Sequence, residues 1–378
     1  MEPIYLDNAA TTQIDEEVLK VITAYAKENY ANPSSKYVLG ELARKVIEGL
    51  KKLIAGKINA KPSEVIFTSG GTESNNLALK GLFFANYPAR NHIITTKIEH
   101  DSILNACKWL EKQGAKITCL NVDKEGFIDI MDIERAITSK TFLVSIIHGN
   151  NEIGAIQSIQ EIGKICKKRG IWFHVDACQS FTKVPIDVNK MNIDLMTLNS
   201  HKIHGPKGVG ALYIRGGVKI IPLLHGGGQE KGLRSGTENV SGIVGFVKAV
   251  EITKEKDGDN MRKLRDKLIN ELLKIDGIKL NGPMQNRLCN NVNISIKGVN
   301  GETLITYLEN YGIYCSAGSA CLANSNEKSY VLRAIGLSEK EVESSLRISL
   351  SKYNTEKEID FFLEKIKEIV EKLRKTKI

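Results

Sequence analysis

Lys202 stands in the run Ser200-His201-Lys202-Ile203-His204-Gly205-Pro206-Lys207-Gly208, between the apolar runs 195–198 and 209–214. Both runs read as buried strands, so the lysine falls at a strand end rather than on an open surface. A desolvated lysine shifts its pKa and can form a Schiff base with a carbonyl compound. In isolation the run also reads as a polar hairpin loop with a solvated lysine. Four other stretches weigh against that. Ser69-Gly70-Gly71-Thr72-Glu73-Ser74-Asn75-Asn76 follows an apolar run and opens a helix. Backbone N–H groups and the Thr72 hydroxyl can approach an anion there, although capping alone would favour similar residues. The run has neither the lysine spacing of a P-loop nor GxGxxG. Glu99-His100 follows the next strand, where an imidazole can stack on a flat heteroaromatic ring or shuttle protons. Asn150-Asn151 follows a strongly apolar run and either turns the chain or donates to a phenolic oxygen. Asp176-Ala177-Cys178-Gln179 closes another, and Asp176 either caps a helix or faces a protonated ring nitrogen.

In chain order these are an anion loop, a ring-stacking group, a phenolate donor, a pyridinium partner and a carbonyl-binding lysine. Pyridoxal 5′-phosphate asks for all five. A second focus is Cys315-Ser316-Ala317-Gly318-Ser319-Ala320-Cys321-Leu322-Ala323-Asn324-Ser325 and the residues up to Ser329. Small polar residues around Cys321 keep its thiol accessible, whereas Cys315 follows a strand-like Ile313-Tyr314 and packs. Arg347 lies in the strand-like Ser345-Leu346-Arg347-Ile348-Ser349, where a guanidinium either clamps a carboxylate or forms an ordinary surface ion pair.

The elements that must position these residues follow from the apolar pattern. Seven runs, near 65–67, 93–94, 117–120, 142–147, 171–175, 195–198 and 209–214, alternate mostly with helical stretches. Continuous rather than alternating apolar runs mean strands buried on both faces. The expectation is an α/β fold, a mostly parallel seven-stranded sheet with helices on both faces. Two helices precede it, at about 15–30 and 37–56. Residues 15–258 read as the large cofactor-binding domain. Residues 1–14 and 259–378 read as a smaller α+β domain carrying the Cys321 loop, about 315–329.

The formal net charge of +9 comes from 53 Lys and Arg against 44 Asp and Glu. The lysines are spread over amphipathic helices rather than gathered in a basic tract, so no nucleic-acid partner is expected. Seven cysteines without a CxxC spacing give neither a disulfide framework nor a zinc site, and no metal is expected. No apolar run has membrane-spanning length, and the N-terminus lacks the pattern of a secretion signal, so a cytoplasmic location is expected.

With these residues in view, the chain resembles the NifS/IscS-type cysteine desulfurases among fold-type I pyridoxal-phosphate enzymes. The resemblance rests on Tyr5-Leu6-Asp7-Asn8-Ala9-Ala10-Thr11-Thr12, Asn32-Pro33-Ser34-Ser35, Ser69 to Ser74, Glu99-His100, Asn151-Glu152-Ile153-Gly154, Val175 to Gln179, Ser200-His201-Lys202, Arg234-Ser235-Gly236-Thr237, Gly318-Ser319-Ala320-Cys321 and Ser329 to Ala334. The resemblance implies that Lys202 binds the cofactor covalently, Asp176 faces the pyridine nitrogen and His100 stacks on the ring. It implies Asn151 and Gln179 at the ring oxygen, and Gly71, Thr72, Ser200 and His201 at the phosphate, joined by Thr237 from the other subunit of a homodimer. Asn32 and Arg347 would hold the carboxylate of L-cysteine. Cys321 would take the sulfur as a persulfide and pass it to an acceptor protein such as an iron–sulfur scaffold. The sequence departs from the common pattern at Asn199, Leu322 and Lys328, and Cys315 is an additional cysteine. A selenocysteine lyase or an aminotransferase of the same fold is the alternative, and a non-catalytic binding protein the reading from another class.

Overall fold

The computed structural model describes residues 3–317 and 328–375. A short strand, β1 (Ile4–Tyr5), leads through a polar turn into α1 (Glu16–Glu28) and α2 (Val38–Ile58). Strand and helix then alternate: β2 (Val65–Thr68), α3 (Gly71–Asn86), β3 (His92–Thr96), α4 (Asp101–Glu111), β4 (Lys116–Leu120) and α5 (Ile130–Ala136). The series continues with β5 (Thr141–Ile147), α6 (Ile159–Arg169) and β6 (Trp172–Asp176), then β7 (Leu195–Asn199), β8 (Gly210–Ile214) and α7 (Val240–Ile252).

All seven expected strands join one sheet, in the order β2-β8-β7-β6-β5-β3-β4. Only β8 is antiparallel to its neighbours, β2 and β7, so the other six strands point the same way and share a carboxyl edge. β5 is buried at every residue, which is why its apolar run does not alternate. One face packs Ile54 of α2, Ile162 of α6 and Phe246 of α7 against Val144, Val175 and Met196. The other packs Leu82 and Phe83 of α3 and Leu110 of α4 against Ile93, Leu143 and Leu212. β8 enters the carboxyl edge at Gly210, where a Cβ would lie 2.7 Å from the Cα of Gly70. Gly70 itself has φ +148°. Glycine at both positions lets an antiparallel strand slide beside the turn that opens α3.

The C-terminal part comprises α8 (Glu255–Leu272), β9 (Ile278–Leu280), β10 (Asn291–Ile296), α9 (Gly301–Glu309), β11 (Ile313–Tyr314), α10 (Tyr330–Ala334), α11 (Glu339–Glu343), β12 (Ser345–Ser349) and α12 (Glu356–Lys375). Its antiparallel sheet runs β12-β10-β9. Ile359, Phe362, Ile366, Ile369 and Leu373 recur at helical spacing on α12 and are buried with Leu268 and Leu272 of α8. Burying each such side chain stabilises by about 1.5–3 kcal/mol. Ile4 and Leu6 join the same core, and β1 pairs with β11 in parallel. The sequence reading has a short strand near the start and a strand-like Ile313-Tyr314 but not their pairing, which tertiary contact decides, nor β9, whose three residues are too short to show a period.

Candidate active site

The shared carboxyl edge opens on a cavity of about 300 Å³. β2 delivers Gly71 and Thr72, β3 His100, β5 Asn151, β6 Asp176 and Gln179, and β7 Asn199, His201 and Lys202. β12 brings Arg347 from the C-terminal part, and the N-terminal turn adds Ala9 and Ala10. Of the other expected residues, Ser200 is buried but not in the lining. Asn32 and Thr237 are exposed and outside it, and Asn32 Oδ1 accepts from Ser34 N at 2.9 Å. Cys321 lies outside the described residues.

The helix α3 begins at Gly71 without a side-chain cap. Its first-turn N–H groups, which no helix pairs internally, therefore have no N-cap side chain to accept from them, and they form the positive end of the helix dipole. Lys202 Nζ donates to the carbonyls of Ala9 at 2.7 Å and Ala10 at 2.5 Å, and Gln179 Nε2 donates to Ala9 O at 2.9 Å. The turn is tied down in return: Thr12 N and Oγ1 both donate to His201 O, at 2.9 and 3.0 Å. Asp176 Oδ2 accepts from Asn75 Nδ2 at 2.7 Å and Oδ1 from Cys178 N at 2.9 Å, which sets the plane of its carboxyl group. Burial, with Lys202, Lys207 and Lys183 nearby, pushes His201 down to about 3, so it is a neutral ring. Its Nδ1 lies 3.0 Å from Thr11 Oγ1.

Arg347 is 1 % exposed. Its Nη2 donates to Asp7 Oδ1 at 2.8 Å, while Nε has no partner among the described residues. The surface ion pair expected as one reading of this arginine is not what the structure shows: the pair with Asp7 is buried at the cavity wall, with Nε left over. Lys202, Arg347 and the α3 N-terminus make the wall suited to an anion.

Residues flanking the segment that contains Cys321 are attached to the same walls. Ser316 and Arg347 exchange backbone hydrogen bonds of 3.2 and 2.7 Å. Ser329 Oγ donates to Glu152 Oε2 at 2.5 Å, and Tyr330 OH to Glu99 O at 2.6 Å. Cys315 packs against the C-terminal core, and burial pushes its thiol up to about 12.

Glu99 is fully buried, accepts from Thr96 Oγ1 at 2.6 Å, and is pushed up from 4.5 to about 8, chiefly by burial. A carboxyl raised in the folded state contributes stability that is complete below the unfolded pKa and is lost as pH rises through the folded one. Glu99→Gln keeps an acceptor for Thr96 and removes the ionisation. It should match the wild type in stability near pH ~4.5 and exceed it near pH ~9 by roughly 2–5 kcal/mol. Denaturant unfolding at the two pH values checks this, and a stability difference that does not grow with pH contradicts it.

Asn75, Ser102, Cys178 and Asn199 also line the cavity. The sequence reading assigned none of them a role in the site. Asn75 lies four residues after Gly71 on α3 and so shares its face, a spacing that could have found it. Ala9 and Ala10 act through carbonyls, which leave no side-chain signal.

The aminotransferase class-V family matches residues 4–362. The chain is 49% identical over 374 residues to the cysteine desulfurase IscS of Methanosarcina thermophila, covering 98% of this chain and 93% of that one. It is 48% identical over 377 residues to the cysteine desulfurase IscS of Clostridium botulinum strain Hall, with 98% and 95% covered. Among solved structures, a NifS-like protein superposes with a TM-score of 0.92 at 40% identity, over 98% of this chain and 99% of that one. The structure of SspA in complex with cysteine gives 0.84 at 40% identity, over 93% and 100%. With near full-length identity of this order, the chain belongs to the cysteine desulfurases of the aminotransferase class-V family.

Proposed function

We propose that this cysteine desulfurase binds pyridoxal 5′-phosphate in the cavity and moves the sulfur of L-cysteine onto Cys321, releasing L-alanine. The observation that carries the reading is the convergence of Lys202, Asp176, Arg347 and the α3 N-terminus on one cavity. The donor set fits the cofactor. Ser200 Oγ is buried without a partner among the described residues, and the first-turn N–H groups of α3 lack intrahelical acceptors, as a phosphate site requires. Gly71, Thr72, Ser200 and His201 would hold that phosphate, with Thr237 of the partner subunit. Asp176 would pair with the ring nitrogen, His100 would lie on the ring, and Asn151 and Gln179 would meet the ring oxygen. Lys202 would bind covalently. When bound, the cofactor supplies a cationic ring that draws electrons from a substrate carbon.

The chain's own groups supply the rest. Arg347 in the cavity wall would hold the substrate carboxylate, and Asn32 would join it on family resemblance alone. Lys202, freed as the neutral amine when the substrate amine takes its place, would accept the α-proton on Nζ. The Cys321 thiolate attacks the substrate sulfur: the S–S bond forms, the Cβ–S bond breaks, Cβ takes up a proton, and Lys202 returns the α-proton to Cα to give alanine. The persulfide then passes to an acceptor protein such as an iron–sulfur scaffold. Residues 15–258 would serve as the cofactor-binding unit, and 1–14 with 259–378 as the unit presenting Cys321; the separate C-terminal core supports this division. A homodimer is proposed from the exposed Tyr37, Val38, Leu39 and Leu42 at the start of α2, and sedimentation of the active enzyme as a monomer would contradict it. Cysteines 107, 119, 166, 178, 289 and 315 are all free, which suits a reducing cytoplasm.

Incubation with cysteine and a thiol reductant should yield alanine and sulfide in equal amounts. Turnover that requires an α-keto acid and leaves sulfide unformed would favour an aminotransferase instead.

A further inference from the structure

We infer that Asn75 and Ser102 are positioning residues that fix which nitrogen of His100 carries its hydrogen, and that they tie this choice to the carboxylate of Asp176. The argument is one of counting hydrogens. Ser102 N lies 3.1 Å from His100 Nδ1, and a backbone N–H can only donate. Nδ1 therefore presents its lone pair, and the neutral ring holds its hydrogen on Nε2. In the same contact His100 caps α4, an 11-residue helix.

The next links have one polarity. Asn75 Nδ2 lies 2.7 Å from Asp176 Oδ2 and 2.8 Å from Ser102 Oγ. An amide nitrogen carries two hydrogens and accepts none, so one goes to each oxygen. Ser102 Oγ, already accepting from Asn75, has its own hydrogen left to give, and His100 Nδ1 stands 2.8 Å away. Turning the Asn75 amide over would set its oxygen against the Asp176 carboxylate, two acceptors without a hydrogen between them. Asn75 is 1 % exposed, and its Oδ1 is buried with no partner among the described residues. The side chain thus leaves an acceptor unused to keep both hydrogens where Asp176 and Ser102 need them.

The consequence deepens the function proposed above, on which its catalytic meaning rests. His100, in the cavity wall, presents Nε2 as an N–H donor rather than as a base. Proton acceptance then falls to Lys202.

The test needs neither cofactor nor turnover. Cofactor-free protein carrying ¹⁵N-labelled histidine is examined by two-bond ¹H–¹⁵N correlation, with the His100 signals assigned by their loss in His100→Gln. In the wild type, Nδ1 should appear as a lone-pair nitrogen and Nε2 as a protonated one. Ser102→Ala and Asn75→Ala should each raise the Nδ1-protonated share severalfold, because they remove or misalign the shorter 2.8 Å contact and leave Nδ1 only the longer one, 3.1 Å from the backbone N–H, and Ser102→Thr should restore the wild-type pattern. A merely structural role for the two residues would leave the tautomer unmoved. A wild-type His100 protonated on Nδ1 overturns the inference, whether or not any variant folds. So do two alanine variants with unchanged nitrogen signals. Absence of alanine and sulfide in the cysteine assay would instead refute the function and leave this spectrum as it is.

Discussion

Lys202→Ala is expected to fold, to retain no covalently bound pyridoxal phosphate, and to release sulfide at least ~10²–10⁴-fold more slowly than the wild type. That factor is the usual worth of a positioned proton acceptor. The substitution deletes the hydrogen bonds to the Ala9 and Ala10 carbonyls among others, a cost of about 0.5–1.5 kcal/mol each that a domain of this size absorbs. Lys202 is the lysine that lines the cavity, whereas Lys207, five residues on, is exposed. Borohydride reduction of the loaded wild type, followed by peptide mapping, should therefore place the cofactor label on Lys202. Label on Lys207, or normal turnover by the alanine variant, contradicts the assignment.

Cys321→Ser should bind cysteine yet release no sulfide above background, because a hydroxyl at neutral pH is a far poorer attacker of sulfur than a thiolate. Cys315→Ser is the control. With its thiol pushed up to about 12, Cys315 is ionised to roughly one part in 10⁴ or less near neutral pH and is a poor nucleophile. Its replacement should leave turnover within about twofold, since it removes only a packed, inert thiol. Mass spectrometry after a single turnover should find the added sulfur on the peptide containing Cys321. Sulfur on Cys315, or full activity of Cys321→Ser, would refute the sulfur-transfer step.

The sequence by itself determined the sheet and what stands at its strand ends. Each of the seven strands is a local apolar run, and the chemistry-bearing residues follow within a few positions, as Asp176 ends β6 and Lys202 follows β7. Short-range pattern was enough to find the strands because a continuous apolar run is a local signal, although β4 leaves Lys116 and Cys119 exposed. The tertiary structure decided what depends on residues far apart. Asp7 and Arg347 are 340 positions apart, yet they form one ion pair at the cavity wall. Lys202 rests on carbonyls nearly two hundred residues away, and no side-chain type announces a carbonyl. The chain from Asp176 through Asn75 and Ser102 to His100 joins β6, α3 and α4. Its members are common polar residues, unremarkable in sequence. Only packing three elements together brings their donors and acceptors within 3 Å of one another.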